Sequence, residues 1–205
     1  VEKEAEAKKK VYIDRRRVHR MNRQISDRNI LDAFCEEFCA IVDKYCKYIV
    51  VSGFLAIASG RTRGTEDIDM IIEKISQEKF ETLFGELDQN NFMCMQSASA
   101  PEGYEYLKDN LSLRFTRKNK PLPEMEVKFA KDRLDLYQLN QRIKLPLTGL
   151  NVWFSNVNIN IAFKEELLKS PKDLEDARHL RIVFKEMVNE REITEVKKMI
   201  RELRL

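Results

Sequence analysis

The stretch from Ile49 to Met70 constrains this chain more than any other. Tyr48 to Ser52 is a continuous β-branched and apolar run, the pattern of a buried strand. Gly53 ends it, Phe54 to Ala58 suits a short helix, and Arg61 to Glu66 is a basic loop. Asp67 to Ile72 is then a second apolar run that carries two aspartates two residues apart. On an extended strand residues i and i+2 share a face, so Asp67 and Asp69 stand side by side, with Ile68, Met70 and Ile71 to pack beneath them. Two carboxylates that close raise each other's pKa unless a divalent cation makes both ionised forms favourable. Hard oxygen donors suit Mg²⁺ or Mn²⁺, ions that serve phosphate chemistry.

The rest of the composition narrows the setting. A chain of 205 residues can bury a substantial core without disulfide or metal staples. Charged residues make up 35% of it, but 37 basic and 34 acidic side chains leave a net charge of only +3, too little by itself to mark a nucleic-acid-binding protein. Cys35, Cys39, Cys46 and Cys94 lack the spacing and partner histidines of a zinc site and read as buried free thiols of a reducing compartment. No apolar run approaches the roughly 20 residues that a membrane span needs, and the N-terminus is charged rather than signal-like. A cytoplasmic protein with no membrane partner is expected.

Three parts are expected along the chain. Residues 1–25 form a charged, basic N-terminal helix or arm, with Arg15, Arg16, Arg17, His19 and Arg20 clustered in it. Residues 26–145 form the core, and 146–205 a C-terminal strand and helical region. Ser26 and Asp27 start a helix whose apolar positions run from Ile30 to Tyr45 at helical spacing. A second amphipathic helix begins at Ser76. Phe92 to Gln96 is a strand, Ser97 to Gly103 a loop, and Leu111 to Phe115 with Met125 to Phe129 a hairpin. Lys131 to Lys144 reads as a polar connection and Leu150 to Phe154 as a last strand. Ser170-Pro171 opens a helix, and another spans Ile193 to Leu203.

A third carboxylate is needed, because two aspartates rarely supply enough ligands for two cations and a triphosphate. In the second hairpin strand Glu124, Glu126 and Lys128 alternate with Met125, Val127 and Phe129. Glu126, mid-strand, is the candidate and Glu124 the fallback. Arg61 and Arg63 sit where guanidinium groups can clamp phosphates, and Thr65 adds a hydroxyl or a turn cap. Asp173 is explained equally well by capping a helix start. His179 and His19 suggest no histidine-based catalysis.

Val51-Ser-Gly-Phe, Asp67-Ile-Asp-Met and an acid on a later strand together resemble the nucleotidyltransferase superfamily of the DNA polymerase β type. The likeness is greatest to its small stand-alone members, the AbiEii toxins and minimal nucleotidyltransferases, whose helical region often carries a Lys-Asp-x-x-Asp element. Here that element is matched by Lys172-Asp173-Leu174-Glu175-Asp176. The resemblance covers roughly Ile49 to Phe184. It implies an α+β (α/β) nucleotidyltransferase fold, a mixed β-sheet flanked by helices with a helical C-terminal part. It also implies a metal-dependent transfer of a nucleoside monophosphate from an NTP to an acceptor hydroxyl, with pyrophosphate released. Asp67, Asp69 and Glu126 would be the catalytic, metal-binding acids, and Ser52, Gly53, Arg61, Arg63, Thr65, Lys172 and Asp176 the nucleotide-binding residues. One departure stands out: Phe54 follows Gly53 where the family has Ser or Gly.

The acceptor expected is RNA, a protein side chain or a small molecule, with the basic arm tilting towards a macromolecule. The arm is also the expected surface for a second copy or a partner protein. The competing reading is a non-catalytic nucleotide-binding or toxin-antitoxin interaction module of the same fold.

Overall fold

The structure, a computed structural model, describes residues 30–62, 64 and 67–205. The N-terminal arm, the Ser26-Asp27 helix start, Arg63 and Thr65 lie outside the described residues. Five strands make one mixed sheet: β1 (Tyr48–Val51), β2 (Asp67–Ile72), β3 (Phe92–Cys94), β4 (Leu113–Arg117) and β5 (Lys120–Phe129), in the order β1-β2-β5-β4-β3. β2 and β5 run parallel, and the remaining neighbours are antiparallel. The expected hairpin is β4–β5.

Alternation sorts the two faces of the sheet. Ile68, Met70 and Ile72 on β2, with Met125, Val127 and Phe129 on β5, are buried in the main core. That face is covered by α1 (Ile30–Val42), α3 (Gln77–Gln89) and α4 (Ala100–Lys108). The Phe38 ring lies 5.1 Å from Phe92 and 5.5 Å from Phe115, joining α1 to two strands. Each such side chain contributes about 1.5–3 kcal/mol on burial. Ile71 is the exception to the expected packing. It lies on the acidic face, where it joins Ile49, Ala130 and Leu139 in a small second cluster.

The acidic face is covered at one end by α5 (Arg133–Asn140) and by the C-terminal helices. These are α6 (Val157–Phe163) with a π-helical turn at Lys164–Leu168, α7 (Pro171–Val183) and α8 (Glu190–Arg204). Ile193, Val196 and Ile200 give α8 a buried stripe at helical spacing. The short α2 (Phe54–Ala58) follows β1 and is buried along its length.

Three local expectations are corrected. The Ser97–Gly103 loop gives way to α4, which starts with Pro101 in its first turn, where a missing N–H costs nothing. The connection after Lys131 holds α5, capped by Asp132, whose carboxylate accepts from the backbone N–H of Leu134 (2.9 Å) and Asp135 (3.0 Å). Leu150 to Phe154 makes only isolated bridges, with Val50 and Ile143 on either side of Phe154. Two of its backbone N–H groups bond side chains instead of a neighbouring strand: that of Asn151 donates to Glu36 (2.9 Å) and that of Trp153 to the Tyr48 hydroxyl (3.2 Å).

Candidate active site

β2 and β5 lie side by side in register, Asp67 opposite Glu124 and Asp69 opposite Glu126. Parallel neighbours are about 4.8 Å apart and alternate residues share a face, so the four carboxylates form a two-by-two grid on the open side of the sheet. Glu126 therefore faces the aspartates rather than the core, and so does Glu124. Asp67 is exposed and Asp69 half-buried.

Cations line the same face. Arg114, opposite Glu126 on β4, places Nη2 3.3 Å from Glu126 and Nε 3.8 Å from Glu124. Lys128 Nζ is 3.6 Å from the other Glu126 oxygen. Burial pushes the Asp69 carboxyl above the usual range. Lys128 and a hydrogen bond from Ser52 pull the other way, while Glu126 and Asp67 add to the rise. Such mutual repulsion is what a divalent cation would relieve. Among the described residues no three acidic, histidine or cysteine side chains converge tightly enough to hold a metal ion as they stand. The donor set itself, carboxylate oxygens from Asp67, Asp69 and Glu126, fits the chemistry of Mg²⁺ or Mn²⁺.

Beside the grid, under the C-terminal helices, lies a cavity of about 410 Å³. Ser52, Asp69 and Lys128 line its floor, and Asn160, Lys164 and Arg204 are among the residues of its helical wall. Ser52 follows β1 with φ 67°, and Gly53 comes next in a right-handed conformation at φ −72° as the cap of α2. Phe54 takes no part in this turn. It is 1% exposed, and its ring stacks 6.3 Å from that of Phe154.

The remaining candidates meet elsewhere. Arg61 forms ion pairs with Glu175 and Asp176 and donates to the Lys172 carbonyl (3.1 Å), fastening the loop after α2 to α7. Asp176 is fully buried and pairs also with Lys164 Nζ at 2.8 Å, and Asp173 lies 3.4 Å from the same ammonium. The Lys-Asp-x-x-Asp element is thus built into an ion cluster, while the Lys172 side chain is exposed. His179 Nε2 lies 3.1 Å from Ser59 Oγ, a second tie between α2 and α7. Sequence reasoning missed Lys164, Asn160 and Arg204. The one available signal was Lys164, the first charge after the apolar positions of Val157 to Phe163, and Glu165 and Glu166 beside it make it look like ordinary surface.

No protein-family model and no curated protein matches the chain. Solved structures do. It is similar to the solution structure of the antibiotic-resistance factor ANT(2'')-Ia, at 12% identity and TM-score 0.51, over 84% of this chain and 91% of that one. The crystal structure of ANT(2'')-Ia in complex with adenylyl-2''-tobramycin matches at 14% identity and TM-score 0.51, over 85% and 98%. An antigenic nucleotidyltransferase-like protein from Paracoccidioides brasiliensis matches at 16% identity and TM-score 0.50, over 84% and 87%. At these identities the likeness is one of fold, and the α+β fold, a mixed sheet flanked by helices, is as expected.

Proposed function

We propose that this chain of nucleotidyltransferase fold moves a nucleoside monophosphate from an NTP to an acceptor hydroxyl and releases pyrophosphate. The observation that carries the reading is the carboxylate grid, with Asp69 opposite Glu126 on paired strands beside a cavity. Asp67, Asp69 and Glu126 would hold Mg²⁺ or Mn²⁺, which when bound supplies charge stabilisation to the attacking and leaving oxygens of an in-line displacement. Lys128, on the cavity floor, is suited to a phosphate oxygen. Ser52 and Gly53 shape the turn against which the nucleotide is held. Arg61, Asp173 and Asp176 support the site from behind through their ion pairs with α7 and Lys164.

Charge favours an anionic acceptor, an RNA end, over a polycationic sugar. Lys128, Lys131, Lys164 and Arg204 line the cavity against Asp69 and Asp135. Asp135 and Arg204 neutralise each other (2.8 Å) and Lys164 is met by Asp176 (2.8 Å), which leaves Lys128 and Lys131 to set the sign of the cavity against Asp69. A ligand with several ammonium groups, such as tobramycin, meets like charge there, and a polynucleotide meets opposite charge.

The test is incubation with each labelled NTP, Mg²⁺ or Mn²⁺, and either cellular RNA or tobramycin, beside Asp67→Asn and Asp69→Asn. Label is expected on RNA. Each variant should lose more than the roughly 10–100-fold typical of residues that only orient metal ligands. Transfer that persists in both variants would remove these aspartates from the mechanism. Nucleotide binding with no transfer to any acceptor would favour the non-catalytic module.

A further inference from the structure

Left-handed backbone is expensive for a serine. A Cβ in that region crowds the following carbonyl oxygen, and only glycine, or asparagine and aspartate through local hydrogen bonds, visits it freely. The other described non-glycine residues with positive φ follow that rule or close a helix: Asn91, Asn110, Asn119, and Lys169 just past the π-helical turn. Ser52, at φ 67°, does neither. Gly53 stands next to it, yet takes a right-handed conformation that any residue adopts. The glycine that would remove the strain sits one position too late to do so.

What a serine provides at this point is its hydroxyl. Val51 pairs with Asp69 across the β1–β2 ladder, so the residue that turns the chain away from the sheet is the immediate neighbour of the candidate metal ligand. The Ser52 hydroxyl stands beside the Asp69 carboxyl, where it favours the ionised form, and both side chains line the cavity. Backbone strain kept beside a charged pair in a cleft is a mark of sites where orientation is held in advance of ligand.

We propose that Ser52 is the positioning residue of the carboxylate grid: its strained turn holds the hydroxyl on Asp69 and fixes that carboxylate for a divalent cation. The proposal rests on the reading of Asp67, Asp69 and Glu126 as the metal-binding acids. It also locates the hydroxyl missing after Gly53. The polar residue of the turn precedes the glycine, and Phe54 belongs to the core behind it.

The experiment is Mn²⁺ binding to the full chain, followed by electron paramagnetic resonance, with thermal melting in parallel. Ser52→Gly removes both the strain and the hydroxyl. It should melt at or above the parent temperature while binding Mn²⁺ about tenfold more weakly, the size of effect seen when a ligand-orienting hydrogen bond is lost. Ser52→Ala keeps the strain, and should bind equally weakly without the gain in melting temperature. In transfer assays the metal concentration for half-maximal rate should rise by the same factor, with little change in the NTP KM at saturating metal. Unchanged Mn²⁺ affinity in Ser52→Gly overturns the positioning role. Asp69→Asn separates the two failures. If it binds Mn²⁺ as the parent does, the metal-site reading itself falls and the Ser52 role with it. If it loses binding while both Ser52 variants keep it, only the Ser52 role falls.

Discussion

Position by position, the site depends on which of the two residues flanking Gly53 faces the cleft and which faces the core. Ser52 and Phe54 flank the same glycine, yet one lines the cavity and the other stacks on Phe154. A hydroxyl placed at position 54 would be buried among apolar side chains, out of reach of any phosphate. Phe54→Ser is therefore expected to cost about 3–5 kcal/mol, as large-to-small core changes do, and to bring no gain in transfer rate. Chemical denaturation and a transfer assay on the same sample check both halves. A stable variant with faster transfer would return position 54 to the phosphate turn.

Among elements, ion pairs decide how the helices stand over the sheet. Glu165, in the π-helical turn, accepts from Arg181 of α7 (2.9 Å) and Lys197 of α8 (2.7 Å). Burial alone would raise its carboxyl, but these two partners outweigh it and hold the group below the ordinary 4.5. With the folded value depressed, the unfolded chain binds the proton more tightly. The stabilisation is complete above pH 4.5 and drains away as the pH falls through the folded value. Glu165→Gln should lower stability at pH 7 and flatten the acid limb of the stability profile, both measurable by urea unfolding between pH 3 and pH 7. An acid limb as steep as the parent's would mean that other carboxylates set it. The same elements mark how far the sequence could be read. Asp67, Asp69, Glu126 and the β4–β5 hairpin were legible because a two-residue period is written locally. α4 was not, because Ser97-Ala-Ser-Ala-Pro-Glu-Gly has the composition of a loop. Its Gly103 is a packing choice: a Cβ there would come within 3.3 Å of Leu113 Cδ1. The cavity wall was not legible either, since Asn160, Lys164 and Arg204 come to the cavity only through long-range packing.

For the molecule as a whole, a guanidinium near the end of α8 ties the C-terminal helices to α5, the helix that follows β5. Arg204 donates to Asp132 (2.7 Å) and Asp135 (2.8 Å) of the α5 region, and forms part of the cavity wall. Charged hydrogen bonds of this kind contribute about 1.5–3 kcal/mol. Arg204→Met should lower stability by about 2 kcal/mol and speed amide exchange first in α5 and the last turn of α8. Exchange that quickens uniformly would mean the two halves open only together. A related dependence is set at the edge of the sheet. The Val50 N–H donates to the Trp153 carbonyl (2.8 Å), and the Ser155 N–H returns to the Val50 carbonyl (3.0 Å), so the strand that leads into Ser52 is pinned by chain a hundred residues downstream. During synthesis, the carboxylates and the turn that faces them are translated early but cannot be locked in place until residue 155 has emerged. A growing or truncated chain thus carries the acids without the site, and any activity they support is withheld until those downstream residues are made.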